Sequence, residues 1–124
     1  MSEGQAERKR VWKTPPDVAL CAEGDIADPG ARAFVLQIGE AFFHGFVVRK
    51  DGQVAGYVDR CPHAGYPLAM ELDQYLTPDG ALILCGWHGA VFEPLTGVCT
   101  GGPCAGGRLT PWPVQVANGI IRTA

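Results

Sequence analysis

The chain has no apolar run near the roughly 20 residues needed to cross a bilayer, so a membrane span is not expected. The opening stretch, MSEGQAERKRVWKTPPDV, has a basic cluster but no apolar segment behind it and no twin-arginine pattern. The cytoplasm is therefore the expected compartment. An excess of basic charge is missing too: 10 Lys and Arg stand against 13 Asp and Glu, a net charge of −3. Nucleic acids and anionic membranes call for a basic face, so neither is an expected partner. No segment keeps a helical apolar period, and no solenoid-type repeat is present.

What the sequence does contain is turn chemistry. Its 124 residues suit one domain, 1–124, and hold 17 Gly and 10 Pro, so short elements joined by tight turns are expected. Residues 1–17 end in Pro15-Pro16 and read as a loose N-terminal arm or an edge segment, and 18–30 as an acidic loop. Strands are expected at 33–39, 45–50 and 54–58, with Asp51-Gly52 as the hairpin turn between the last two. Residues 72–80 read as a loop with room for one helical turn. Short strands follow at 81–85 and 90–94, then the glycine-rich loop GGPCAGG at 101–107 and a final hairpin, 109–116 and 120–123, around Asn118-Gly119. The class is all-β.

Five cysteines (Cys21, Cys61, Cys85, Cys99, Cys104) in a chain read as cytosolic point to metal or redox chemistry before disulfides. The informative pattern is Cys61-x-His63, then 21 residues, then Cys85-x-x-His88, both pairs on turn-like segments flanked by Pro or Gly. A single tetrahedral Zn²⁺ could take such a set, but finger sites pair Cys with Cys and His with His. Mixed loops better suit a [2Fe–2S] cluster in which two thiolates hold one iron and two imidazoles the other, each loop then serving both irons.

At these residues the sequence resembles the Rieske ferredoxin family. The likeness runs through "CPHAG.PL", "C..HGA.F....G", the loop "GGPCAGG" and the closing "LTPWPVQVANGIIR", and covers roughly residues 34–123. It implies an antiparallel β-sandwich base carrying a smaller cluster-binding subdomain at 59–104, with Cys61, His63, Cys85 and His88 as ligands of one [2Fe–2S] cluster. Two ferric ions, two sulfides and two thiolates sum to zero charge, so the potential lies above that of an all-thiolate cluster, at roughly −150 to +300 mV. High-potential members of the family carry an inter-loop disulfide and a Ser and a Tyr hydroxyl donating to the cluster. Here the matching positions are Tyr66, Trp87, Ala90 and Phe92, which implies a low potential. The gap between the two motifs is longer than usual, a change that loops absorb at small cost.

The resemblance implies a stand-alone soluble electron carrier with no substrate turnover of its own. Its donor would be a flavoprotein reductase and its acceptor an oxygenase-type protein, docking at a rim of Pro62, Tyr66, Gly86 and Trp87. The other readings are an accessory small subunit of a nitrite-reductase-type complex and a redox-sensing cluster protein. Cys99 and Cys104 read as small residues packed against the cluster lid, with a redox-sensitive pair as the alternative. Cys21 reads as a lone small residue, His44 as a turn or surface residue, Trp12 and Trp112 as core or rim aromatics. The cluster Glu7-Arg8-Lys9-Arg10 reads as a solvated run able to steer an acidic partner.

Overall fold

A computed structural model describes residues 9–60, 68, 73–85, 89–102 and 107–124. Ten strands run in chain order: β1 (Lys9–Arg10), β2 (Ala19–Ala22), β3 (Gly30–Ile38), β4 (Ala41–Lys50), β5 (Gln53–Val58), β6 (Ile83–Leu84), β7 (Val91–Phe92), β8 (Cys99–Gly101), β9 (Val114–Ala117) and β10 (Ile120–Thr123). One 3₁₀ turn, Glu23–Asp25, is the only helical element among the described residues. The all-β class is as expected.

The strands form three sheets. In the first, β4 pairs antiparallel with β3 along its whole length and with β5 along Gly45–Lys50, and parallel with β1 at Ala41 and Phe42. The second is β2-β10-β9 and the third β6-β7-β8. Strand β4 explains how they stack. Its apolar run is buried on both sides, the pattern of a central strand. Phe43 and Val47 pack with Trp112 and Ile121 of the second sheet and its approach, while Phe46 and Val48 pack with Ile83, Ala90 and Phe92 of the third. The first sheet is thus the middle layer, with a base on one face and the small third sheet on the other.

Two strand glycines make that base possible. A Cβ on Gly45 would come within 2.7 Å of the Trp112 ring, and one on Gly56 within 2.5 Å of the Trp112 carbonyl oxygen. Trp112 lies in the space they leave, 4.6 Å from the Phe43 ring centroid, and donates from Nε1 to Thr14 Oγ1 at 2.9 Å.

Several elements differ from the sequence expectation. Residues 19–22 form a strand where a loop is expected; β2 is short and is held by pairing with β10. The strands at 81–85 and 90–94 shorten to two residues each, and β9 begins only at Val114, after Pro111 and Pro113. Residues 73–80 contain no helical turn: Leu76 bridges to Ile83 across a turn at Pro78-Asp79. His44 sits inside β4, half-buried, not in a turn. Trp112 is core, while Trp12 is 45 % exposed. Of residues 1–17, those from Lys9 onward are described; β1 lies at the edge of β4, and Thr123 Oγ1 donates to the Pro15 carbonyl. No helix among the described residues is long and apolar enough to cross a membrane.

Candidate metal centre

Of the four expected ligands, Cys85 is described; Cys61, His63 and His88 lie outside the described residues, as do the rim residues Pro62, Tyr66, Gly86 and Trp87, and Cys104. Among the described residues no three His, Cys, Asp or Glu side chains converge. The surroundings of both arms are nevertheless well defined.

The first arm leaves the end of β5 through Asp59-Arg60. Asp59 is buried, at 8 % exposure. Its Oδ1 accepts from the Leu68 amide at 2.9 Å and its Oδ2 from the Tyr75 hydroxyl at 2.7 Å. One carboxylate therefore ties the chain before 61–67 to the chain after it. The Asp59 amide donates to the His44 carbonyl at 3.0 Å, which fixes the anchor to the middle sheet. Tyr75 stacks on Phe46, ring centroids 4.2 Å apart and 8° from parallel, and Leu68 is fully buried in the same core. Burial first, then the Asp59 charge, push the Tyr75 hydroxyl far above the ordinary tyrosine range, so it stays a donor.

The second arm is the β6–β7 hairpin. The Cys85 amide donates to the Ala90 carbonyl at 2.8 Å and the Gly89 amide to the Cys85 carbonyl at 3.0 Å, bracketing 86–88. Cys85 itself is fully buried, in one core with Ile83, Ala90 and Phe92. The two arms are joined directly, because the Leu84 amide donates to the Tyr75 carbonyl at 2.8 Å. The long segment between the motifs thus returns as a partner of β6. Its turn is held by Thr77 Oγ1 donating to Asp79 Oδ1 at 2.6 Å and the Ala81 amide donating to the same oxygen. Those two bonds, the Thr77 one foremost, hold the Asp79 carboxyl below its ordinary range.

The start of the glycine-rich loop lies against the second arm. Gly102 has φ +86°, and a Cβ there would sit 2.7 Å from Ala90 Cα and 3.1 Å from both the Ala90 nitrogen and the Gly89 oxygen. Only glycine combines that dihedral with that approach. Gly102→Ala should therefore push the loop off the arm. The expected loss is about 2–3 kcal/mol in urea unfolding, with bound iron released faster to a chelator. Just before it, Cys99 is 4 % exposed, paired with Phe92 in the sheet, and its Sγ donates to the Gly101 carbonyl at 3.2 Å. Cys21 lies apart, in β2, where burial pushes its thiol up.

The donor set expected from the sequence, two thiols and two imidazoles, is of the kind that suits a [2Fe–2S] cluster, and of it the described residues include Cys85. The described frame consists of the buried Cys85 thiol, the Asp59 carboxylate tied to Leu68 and Tyr75, and Gly102 packed on Ala90. Two residues in this frame escape sequence reading. Nothing distinguishes Asp59 from a surface acid or Tyr75 from a core aromatic; only their position two residues before Cys61 and inside the long gap gave any signal.

The family model described as Rieske [2Fe-2S] domain matches residues 17–116. No curated protein sequence matches the chain. Among solved structures, a chain of the complex of reduced oxygenase and oxidized ferredoxin in carbazole 1,9a-dioxygenase is 27 % identical, with a TM-score of 0.68, over 86 % of this chain and 100 % of that one. The ferredoxin of carbazole 1,9a-dioxygenase from Nocardioides aromaticivorans IC177 is 22 % identical, TM-score 0.66, over 90 % of this chain and 98 % of its own. A ferredoxin of Sphingomonas yanoikuyae B1 is 23 % identical, TM-score 0.64, over 86 % of this chain and 96 % of its own.

Proposed function

Because the chain belongs to the family of Rieske [2Fe–2S] domains, whose cofactor is one [2Fe–2S] cluster, we propose that it is a low-potential one-electron carrier. It would take electrons from a flavoprotein reductase and pass them to an oxygenase-type acceptor. Cys61, His63, Cys85 and His88 would hold the cluster, which when bound takes up and returns a single electron. The observation that carries the proposal is the match of the Rieske domain over 100 of the 124 residues (17–116). The oxygenase as acceptor is supported by the 27 % identical chain from an oxygenase–ferredoxin complex.

The chain's own residues do the rest. Asp59 and Tyr75 tie the two ends of 61–67, the Cys85–Ala90 bonds bracket 86–88, and Gly102, at the start of the glycine-rich loop, packs on Ala90. Ala90 and Phe92 are both fully buried beside the second arm. Neither can donate a hydrogen bond from its side chain, so the reduced, more negative cluster would receive no stabilisation from them. The rim Pro62, Tyr66, Gly86 and Trp87 remains part of the proposal as the surface where redox partners meet the cluster, through a weak, transient interface.

The test is spectroscopy and potentiometry of the purified protein. The reduced protein should give an EPR signal of lower average g than an all-thiolate cluster, and its midpoint should fall between roughly −150 and 0 mV. Ala90→Ser with Phe92→Tyr should raise that midpoint. A colourless protein with one zinc per chain sinks the proposal, and a midpoint well above zero sinks its low-potential part.

A further inference from the structure

Two segments share one edge of β4. Strand β5 covers Gly45–Lys50 and β1 covers Ala41–Phe42, both on the side opposite β3. Where they meet, the Val11 amide donates to the Phe42 carbonyl and the Asp59 amide to the His44 carbonyl, each at 3.0 Å. The N-terminal segment and the entrance to the first arm are thereby set side by side. Trp12 and Arg60 follow directly on these two anchors, and Arg60 immediately precedes Cys61.

Three side chains meet there. The Arg10 guanidinium lies 4.8 Å from the Trp12 ring centroid and the Arg60 guanidinium 5.3 Å from it. Both distances are within cation–π range. Trp12 is 45 % exposed and Arg60 is exposed. Beside them Arg10, Val35, Phe42 and His44 line a cleft of about 340 Å³, with Val35 58 % exposed.

Among the described residues neither arginine has a salt-bridge partner. The ion pairs among the described residues, Arg32–Asp25 and Arg122–Asp17, involve neither. Arg10 Nε and Nη2 are shielded from solvent yet have no hydrogen-bond partner among the described residues. Asp59 is close enough to act on Arg10 through its charge, but both its oxygens already accept from Leu68 and Tyr75. Burial, then the Arg10 charge, holds His44 below the ordinary histidine range, and Val35 and Phe42 give the cleft its apolar lining beside the Arg10 cation. A chain of net charge −3 thus places together an exposed indole and two arginines without an ion-pair partner among the described residues, one of them the residue that precedes Cys61.

We propose that Arg10, Trp12 and Arg60 form the patch on which a carboxylate-bearing face of the electron acceptor docks. Carboxylates of that face would complete the two guanidinium groups while Trp12 and the Val35–Phe42 cleft supply apolar contact. This inference rests on the carrier reading above and adds the sign of charge the acceptor must present.

The experiment uses small oxidants as charge probes of the electron exit. Holoprotein is reduced with dithionite, freed of excess reductant and mixed in stopped flow with ferricyanide or with tris(phenanthroline)cobalt(III). Each reduced cluster gives one electron to one oxidant, yielding ferrocyanide or cobalt(II). With a local positive patch, the ferricyanide rate should fall as salt rises; net charge alone dictates a rise. The double substitution Arg10→Gln and Arg60→Gln should lower the ferricyanide-to-cobalt rate ratio at low salt by at least about threefold. Taking the ratio cancels any change in driving force. A ferricyanide rate that rises with salt or ignores it, or a ratio unmoved by the substitution, overturns the proposal. A second readout needs no electron transfer: poly-L-glutamate should change the tryptophan fluorescence of the holoprotein saturably and in a salt-sensitive way. The double variant, which keeps Trp12, should lose that change, and no change in the parent overturns the proposal. Absence of the EPR signal, or failure to take an electron from dithionite, sinks the carrier reading instead, before any rate is measured.

Discussion

Asp59→Ala is expected to cost about 3–5 kcal/mol of folding free energy and to leave the protein unable to retain iron. The reason lies in what the carboxylate holds. Its two oxygens accept from a backbone amide at Leu68 and a hydroxyl at Tyr75, and all three residues are buried. Alanine removes both acceptors at once and strands two donors in an apolar core, each at about 1–3 kcal/mol. It also cuts the only side-chain tie described between the two ends of 61–67. Asp59→Asn keeps the shape and one carbonyl acceptor, and Tyr75→Phe removes one donor together with its need. Both should cost less, about 1–2 kcal/mol. Urea midpoints of the three variants, with iron counted after desalting, check the order. A loss in Asp59→Ala no larger than in Asp59→Asn would mean that the carboxylate does not anchor the arm.

The same pair sets a pH signature. The Tyr75 hydroxyl is raised in the folded state, by burial first and the Asp59 charge second. An acid raised on folding contributes stability that is complete below its unfolded pKa, about 10, and is lost as pH climbs above that value toward the folded one. Alkaline denaturation of the parent should therefore be steeper above pH ~10 than that of Tyr75→Phe.

How much of this was legible in the sequence follows from range. The β3–β4–β5 meander could be read because alternation, β-branched runs and Asp51-Gly52 are local signals, and the hairpin pairs as they imply, down to Lys50 opposite Gln53. The family could be read because the motifs Cys61-x-His63 and Cys85-x-x-His88 are local too, and the matching Rieske domain spans both. What failed to show was long-range. Strand β2 exists through pairing with a strand about a hundred residues later, Cys21 opposite Ile121. The stretch ELDQYLTPDG (71–80) read as extra loop length, yet it carries Tyr75, which bonds to Asp59 and Leu84, contacts that no spacing rule announces. Arg10 read as part of a solvated run, and only the shared edge of β4 places it with Trp12 and Arg60.

Cys85→Ala should abolish the visible absorbance and the EPR signal of the reduced protein, with iron near zero per chain, while Cys99→Ala should keep both. The two cysteines are equally deep, at 0 % and 4 % exposure, and lie in one core, so burial does not separate them. Their surroundings do. The Cys99 thiol is spent on the Gly101 carbonyl within its own strand, and alanine there removes little more than a sulfur's packing, about 1 kcal/mol. Cys85 stands at the closed end of the β6–β7 hairpin. That hairpin is held by backbone bonds to Ala90 and Gly89, which need no side chain at 85. Its replacement should therefore leave the fold of the third sheet in place and remove the metal alone, a separation that circular dichroism and iron analysis on one sample resolve. The melting temperature should still fall well beyond the cavity cost, because metal affinity in such sites is part of the folding free energy. If the Cys85→Ala protein keeps its iron, the ligand set is wrong. If Cys99→Ala loses iron as completely as Cys85→Ala, the cluster takes a ligand from β8.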